Sequence, residues 1–307
     1  MVNVQASEVK TLRDRTGAGM MDCKKALVES QGDIEVAVDW LRKKGLAAAA
    51  KKAGRVAAEG LIGVCVCGNN GALIEVNAET DFVARNELFQ KYVGDVVNIA
   101  CTHEMDIESL NGSPYPASNH SVAEELTNII SIVGENMGLR RLAQLNVSSG
   151  VIASYVHNKV AENLGKIGIL VAIESSGNRE KLLELGKKIA MHIAAASPLS
   201  TSIDDLDPAV LEREKAIVSE QAQGMGKPAE FIDKIVEGRI RKFYEESILL
   251  EQIFVIDGNS RVKDVIAGLA KEIGAPVVVK GFVKYVLGDG IEKQPVDFAA
   301  EVAAQLN

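Results

Sequence analysis

With 307 residues, 47% of them hydrophobic and 25% charged, the chain has the balance of a soluble globular protein of two or three domains with a sizeable core. A net charge of −8 argues against a general nucleic-acid surface, which needs clustered Lys and Arg. No apolar run approaches the length that spans a bilayer, and the chain opens straight into a polar helical pattern, so a cytoplasmic location without membrane association is expected.

Residues 1–55 read as a compact helical unit. Ser7-Glu8-Val9-Lys10-Thr11-Leu12-Arg13 is a first helix with Ser7 as its N-cap, ended by Thr16-Gly17-Ala18-Gly19. Met21–Glu29 is a second helix. Asp33 then caps a third, in which Ile34, Ala37, Val38 and Leu41 share one face and Gly45 marks the stop. Three short helices with a Gly-rich first turn resemble a ubiquitin-associated type of binding domain. The Ala-rich stretch 46–55 is expected to be a helical or loosely helical linker.

From Glu59 the apolar period changes to two, and a repeat emerges. Glu59-Gly60-Leu61-Ile62-Gly63-Val64-Cys65-Val66 is echoed by Ser149-Gly150-Val151-Ile152-Ala153-Ser154-Tyr155-Val156. The strand at 72–79 is echoed at 167–174, the helix at 87–100 by that at 179–195, and a later helix plus strand closes each copy. The fold class is therefore α+β, with two related halves, each a small antiparallel sheet covered by helices. The expected division is 1–55, 56–148, 149–288 and a C-terminal module at 289–307. An αα-hairpin at about 198–250 is inserted in the second half, with Ile217, Phe231, Ile235, Ile240 and Phe243 as its apolar seam. The segment between Thr102 and Ser121 receives no role.

Between the first half's second strand and its helix lies Thr80-Asp81-Phe82-Val83-Ala84-Arg85-Asn86. Continuing the strand's period puts Ile74, Val76, Ala78, Thr80 and Phe82 on one face, which makes Phe82 a core residue on residue type and spacing alone. Against this, the second half keeps the strand but replaces the turn with Ser175-Ser176-Gly177. A feature that only one copy retains points to function.

Signatures of an enzyme are missing. Gly17-Ala18-Gly19 lacks the strand and third glycine of a dinucleotide site, and Gly224-Met225-Gly226-Lys227-Pro228 has the wrong spacing for a phosphate loop and reads as the hairpin turn. His103, His120, His157 and His192 have no metal-ligand spacing, and His192 reads as a satisfied core histidine. Cys65 and Cys67 share a strand face but have no second pair nearby in sequence. With Cys23 and Cys101 they are taken as reduced, structural thiols.

Thr16-Gly17-Ala18-Gly19-Met20-Met21-Asp22-Cys23-Lys24-Lys25-Ala26-Leu27 and the 80–86 turn closely resemble the bacterial translation elongation factor Ts family. The likeness continues through Gly134-Glu135-Asn136, Ala190-Met191-His192-Ile193, Val236-Glu237-Gly238-Arg239 and Asp297-Phe298-Ala299-Ala300-Glu301-Val302-Ala303. The resemblance implies a guanine nucleotide exchange factor that binds GDP-bound and nucleotide-free elongation factor Tu, and is not itself an enzyme. It implies no cofactor, no metal and no direct nucleic acid contact. By the same resemblance, Thr80, Asp81, Phe82 and Val83 enter the partner's magnesium and phosphate site, and Arg13, Met20, Met21 and Lys24 contact a helix of its GTPase domain. Asp297, Phe298 and Val302 return to that domain from the C-terminal module. The hairpin is a candidate homodimer surface.

Overall fold

The structure, a computed structural model, describes residues 4–224 and 229–292. Helices α1 (Ala6–Thr16), α2 (Met20–Glu29) and α3 (Ile34–Lys52) enclose Val9, Leu12, Cys23, Ala26, Leu27, Ala37 and Leu41. Asp33 caps α3 as expected, its Oδ1 accepting the Val36 N–H at 3.1 Å. Ser7, by contrast, lies inside α1. The cap lies two residues earlier, at Gln5, whose N–H donates to the Glu8 carboxylate at 2.8 Å.

The rest of the described chain runs β1 (Glu59–Cys67), β2 (Asn70–Ala78), α4 (Glu87–Thr102), α5 (Ile107–Gly112), α6 (Val122–Val133) and β3 (Met137–Asn146). It continues with β4 (Gly150–His157), the two-residue β5 (Leu164–Gly165), β6 (Ile167–Glu174), α7 (Arg179–Ala196), α8 (Pro208–Gln223), α9 (Ala229–Ser247), α10 (Val262–Ile273) and β7 (Val278–Val286). The strands form two antiparallel sheets, ordered β3-β2-β1-β5 and β4-β6-β7.

Each sheet is apolar on both faces, and this stacks them. Leu61, Ile74 and Val76 meet Phe89, Val93 and Ile129 of α4 and α6. The alternate residues Ile62, Val64 and Leu73 point the other way, onto Ile152, Leu170 and Ala172 of the second sheet. Val151, Ile169, Val171 and Ile173 then meet Leu182, Ile189 and Ile266 of α7 and α10. The order is helix, sheet, sheet, helix, and burial on both faces places consecutive apolar residues such as Leu61-Ile62 and Leu73-Ile74 in β1 and β2, beyond the period of two expected of them.

The expected repeat is visible in backbone detail. Gly60 and Gly150 open their strands at φ +122° and +138°, and a Cβ there would fall 2.2 Å from Val76 O and 2.0 Å from Ile173 O respectively. Both sheets also shift register at matching places, between Glu75 and Val76 and between Ala172 and Ile173. Duplicate strain-free uses of glycine at the same station are what a duplicated hairpin leaves behind.

Three further expectations are refined. Gly45 does not stop α3, which runs on to Lys52. The glycine is buried where α3 lies on α6, with a Cβ placed 3.4 Å from that of Ser131. Its use is close approach, so the helical alternative for the following stretch holds as far as Lys52. In the hairpin, Val218, Ala222 and Ile240 are buried while Ile217 and Phe231 are exposed. One residue is 100° of helix, so α8 presents the neighbour of the expected seam residue. The 102–121 segment covers the first core. Tyr115 stacks on Tyr92 at 5.8 Å between centroids and donates to Asp95 Oδ2 at 2.7 Å.

One charged side chain is fully buried between the sheets. Glu75 accepts from Arg140 Nη1 at 3.2 Å, Arg141 Nε, Asn77 Nδ2 at 2.9 Å and the Gly288 N–H at 2.8 Å. Burial pushes its pKa up, but the Gly288, Asn77 and Arg141 hydrogen bonds outweigh this and hold it below the ordinary glutamate range. Removing one partner of such a buried set leaves uncompensated charge, so Glu75→Ala is expected to cost about 3–5 kcal/mol in urea unfolding. Because the folded pKa is depressed, this contribution is complete above the unfolded value of about 4.3 and is lost as pH falls through the folded value. Glu75→Gln should therefore show a flatter decline of stability below pH 5 than the parent protein; an unchanged slope would refute the role.

Candidate partner-binding site

β2 ends at Ala78, four residues before Phe82, and residues 83–85 wind into a single 3-10 turn. The alternation that would place Phe82 in the core has therefore stopped before reaching it. Phe82 has φ −63° and ψ −36°, and its side chain is 78% exposed. A bare phenylalanine at that exposure is costly in water unless something covers it.

The turn is fixed on both sides of its tip. Val83 and Ala84 insert into the cluster that holds Leu61 and Phe89. Asn86 Oδ1 caps α4 by accepting from Leu88 and Phe89 N–H at 2.9 and 3.2 Å, and Gln90 Nε2 donates to Ala84 O at 2.8 Å. On the other side Thr80 donates twice to Glu135, from its N–H at 2.9 Å and from Oγ1 at 2.7 Å. Glu79 accepts from the Asn136 N–H, and Asn136 Nδ2 donates to Arg55 O at 2.7 Å.

Asp81 and Phe82 are left pointing outward. Among the described residues no ion pair engages the Asp81 carboxylate. Of the four residues expected to make contact here, Thr80 is half-buried and Val83 is only 2% exposed. Thr80 is tied to Glu135 and Val83 sits in the first core, because the 3-10 turn rotates Val83 inward as it turns Phe82 out. Glu135 and Asn136 were not expected to have a role. The signal for them lay in strand pairing, since Ala78 lies opposite Met137, which sets the residues before β3 beside those after β2.

A second exposed group lies on the N-terminal helices. Met20 and Met21 open α2 at 59% and 73% exposure, and Arg13 on α1 and Lys24 on α2 are exposed as well. Lys24 stands four residues after Met20 and three after Met21 on α2, so the three share one face. Asp297, Phe298 and Val302 lie outside the described residues.

His192 is buried, its Nε2–H donating to Gln252 Oε1 at 2.8 Å while Nδ1 accepts the Val255 N–H at 3.2 Å. Burial, only partly countered by Gln252, lowers its pKa, so it is the satisfied core histidine expected. No helix among the described residues is long and apolar enough to cross a membrane.

Comparison with known proteins settles the family. Residues 79–289 match the model described as Elongation factor TS. Elongation factor Ts of Rhodospirillum centenum is 57% identical over 304 residues, 99% of each chain. That of Paramagnetospirillum magneticum is 57% identical over 305 residues, covering 99% of this chain and 98% of its own. The chain belongs to the elongation factor Ts family. It is thus a translation elongation factor, acting in protein biosynthesis.

The family match begins at Glu79, the residue that fixes the start of the exposed turn. If Glu135 holds this turn, Glu135→Ala should accelerate hydrogen exchange at the Thr80 amide and destabilise the turn by about 1.5–3 kcal/mol, the usual worth of hydrogen bonds to a charged acceptor. Unchanged exchange at Thr80 would show that the turn is held by Val83 and Ala84 alone.

Proposed function

We propose that this protein is a guanine nucleotide exchange factor: it binds GDP-bound elongation factor Tu and promotes GDP release by disturbing the partner's magnesium and phosphate site. The observation that carries this is an exposed Phe82 beside the Asp81 carboxylate, which no ion pair engages among the described residues, on a turn anchored at Thr80, Val83 and Ala84. Arg13, Met20, Met21 and Lys24 form a second contact surface, and Asp297, Phe298 and Val302 a third. The protein needs no nucleotide site, cofactor or metal of its own for this, because the nucleotide belongs to the partner.

Exchange is a coupling between two ligands of one protein, so a factor that weakens GDP must be weakened equally by it. Moving the partner from mostly GDP-bound to mostly factor-bound, 1:99 to 99:1, takes about 5.5 kcal/mol. Burying one phenylalanine supplies about 1.5–3 kcal/mol. Phe82 therefore acts with the other surfaces, which hold the partner while the turn works at the metal.

The test is release of fluorescent GDP from loaded elongation factor Tu, with acceleration expected at micromolar protein; no acceleration overturns the proposal. Phe82→Ala should reduce the acceleration roughly 10- to 100-fold, the kinetic equivalent of that burial, with thermal unfolding within about 0.5 kcal/mol of the parent. Unfolding of the first half would restore Phe82 to the core. The exposed Ile217 and Phe231 support a second association, a homodimer through the hairpin. Sedimentation should then show concentration-dependent mass that Phe231→Ser reduces, and a monomer at all concentrations would exclude it.

A further inference from the structure

By sequence alone, Cys65 and Cys67 are a same-face pair with no further ligand. The fold supplies one. α4 packs across β1 and β2, and its last turn sets Cys101 beside the pair, so that all three sulfurs lie within 4.8 Å of one another. Cys65 and Cys67 Sγ are 3.6 Å apart, and Cys101 Sγ is 3.6 Å from Asn70 O, its hydrogen-bond acceptor.

These spacings are close to those of a metal–thiolate centre. A cation about 2.3 Å from each sulfur holds the sulfurs about 3.8 Å apart in tetrahedral geometry and about 4.0 Å in trigonal geometry. Side-chain shifts of up to about 1 Å would bring the three onto one ion. The cluster is also graded in access: Cys101 is buried, Cys65 half-buried and Cys67 exposed, which gives two fixed ligands and one at the entrance. It lies at the C-terminal end of α4, where the partial negative charge of the last carbonyls favours a cation.

We propose that Cys65, Cys67 and Cys101 bind one thiophilic d10 cation, zinc or cuprous copper, through three thiolates. Thiolate sulfur selects such ions over magnesium or calcium. Binding releases the thiol protons to solvent and changes no oxidation state. Zinc completes its tetrahedron with a solvent molecule on the open Cys67 side, whereas cuprous copper is satisfied by three sulfurs. The site is at the opposite end of β2 from the exposed turn, roughly 27 Å away for nine residues at about 3 Å each, so it is separable from partner binding.

The experiment uses the full chain, reduced and stripped with chelator under argon. It is titrated with Zn(II) in one arm and Cu(I) in the other, against chromophoric competitors. One equivalent taken up in either arm is expected, with three of the four cysteines protected from alkylation and Cys23, in the N-terminal core, excluded. Co(II) should give a thiolate-to-metal charge-transfer band. Cys67→Ser, at an exposed position that the fold tolerates, should weaken uptake by at least about 100-fold. The proposal is overturned by no stoichiometric uptake of either ion, by uptake that Cys67→Ser leaves unchanged, or by a Cys65–Cys67 disulfide as the sole product.

Discussion

β2 has neighbours on every side. β1 and β3 take its two edges, α4 and α6 cover one face, and the second sheet covers the other. A strand confined in this way has few alternatives to its register, since a one-residue slip would exchange the helix-facing and sheet-facing side chains. The chain leaves this strand directly into the turn that carries Asp81 and Phe82. A side chain that must act on another molecule is most effective when its own position costs nothing to fix at the moment of contact. β2 provides that mounting, and the Thr80–Glu135 bonds transmit it across the two residues between strand and tip.

Glu75, in the same strand, shows how the two halves are held together. Arg140 and Arg141, which flank it on β3, also donate to Asp289 O at 2.7 Å and Val286 O at 2.9 Å, and the Arg141 guanidinium lies over the Tyr285 ring at 4.1 Å. A carboxylate of the first sheet thereby fixes where β7 of the second sheet ends. Buried ion pairs repay their desolvation poorly when compared with an apolar core of equal volume. Their geometric demands are strict, however, and here they sit where a purely apolar sheet-on-sheet contact would tolerate sliding.

The elements that depend on local pattern were legible in the sequence. Period-two runs gave the strands, the change of period gave the end of the helical unit, and self-similarity gave the two halves. What was hidden depends on contact between distant segments. Gly45 looked like a stop because its packing partner, Ser131, is 86 positions away in the chain. Cys101 looked isolated because α4 must fold over β1 before it reaches Cys65. The core reading of Phe82 failed for a local reason: counting by two assumes the strand continues, and nothing in residue type alone announces its end at Ala78. The missing turn in the second copy was the better guide, because duplicated halves differ freely only where the shared fold makes no demand.

That difference has a structural counterpart. After β6, at the station that corresponds to the exposed turn, the chain closes on itself: Gly177 N–H donates to Ser175 Oγ at 3.0 Å, and a Cβ on Gly177 would meet Ile273 Cδ1 at 2.4 Å. There the turn is pressed against α10 with no room for a side chain. In the first half the equivalent helix α6 is followed by Glu135 and Asn136, whose polar groups take hold of Thr80 and Glu79 and keep the turn standing clear. The same hairpin-plus-helices unit thus yields a closed corner in one copy and a projecting one in the other. The choice rests on whether the residues after the covering helix offer acceptors to the turn or an apolar surface for it to lie on. Where polar groups hold the turn from behind, as Glu135 holds Thr80, the phenylalanine at its tip stays exposed without loosening the backbone that carries it.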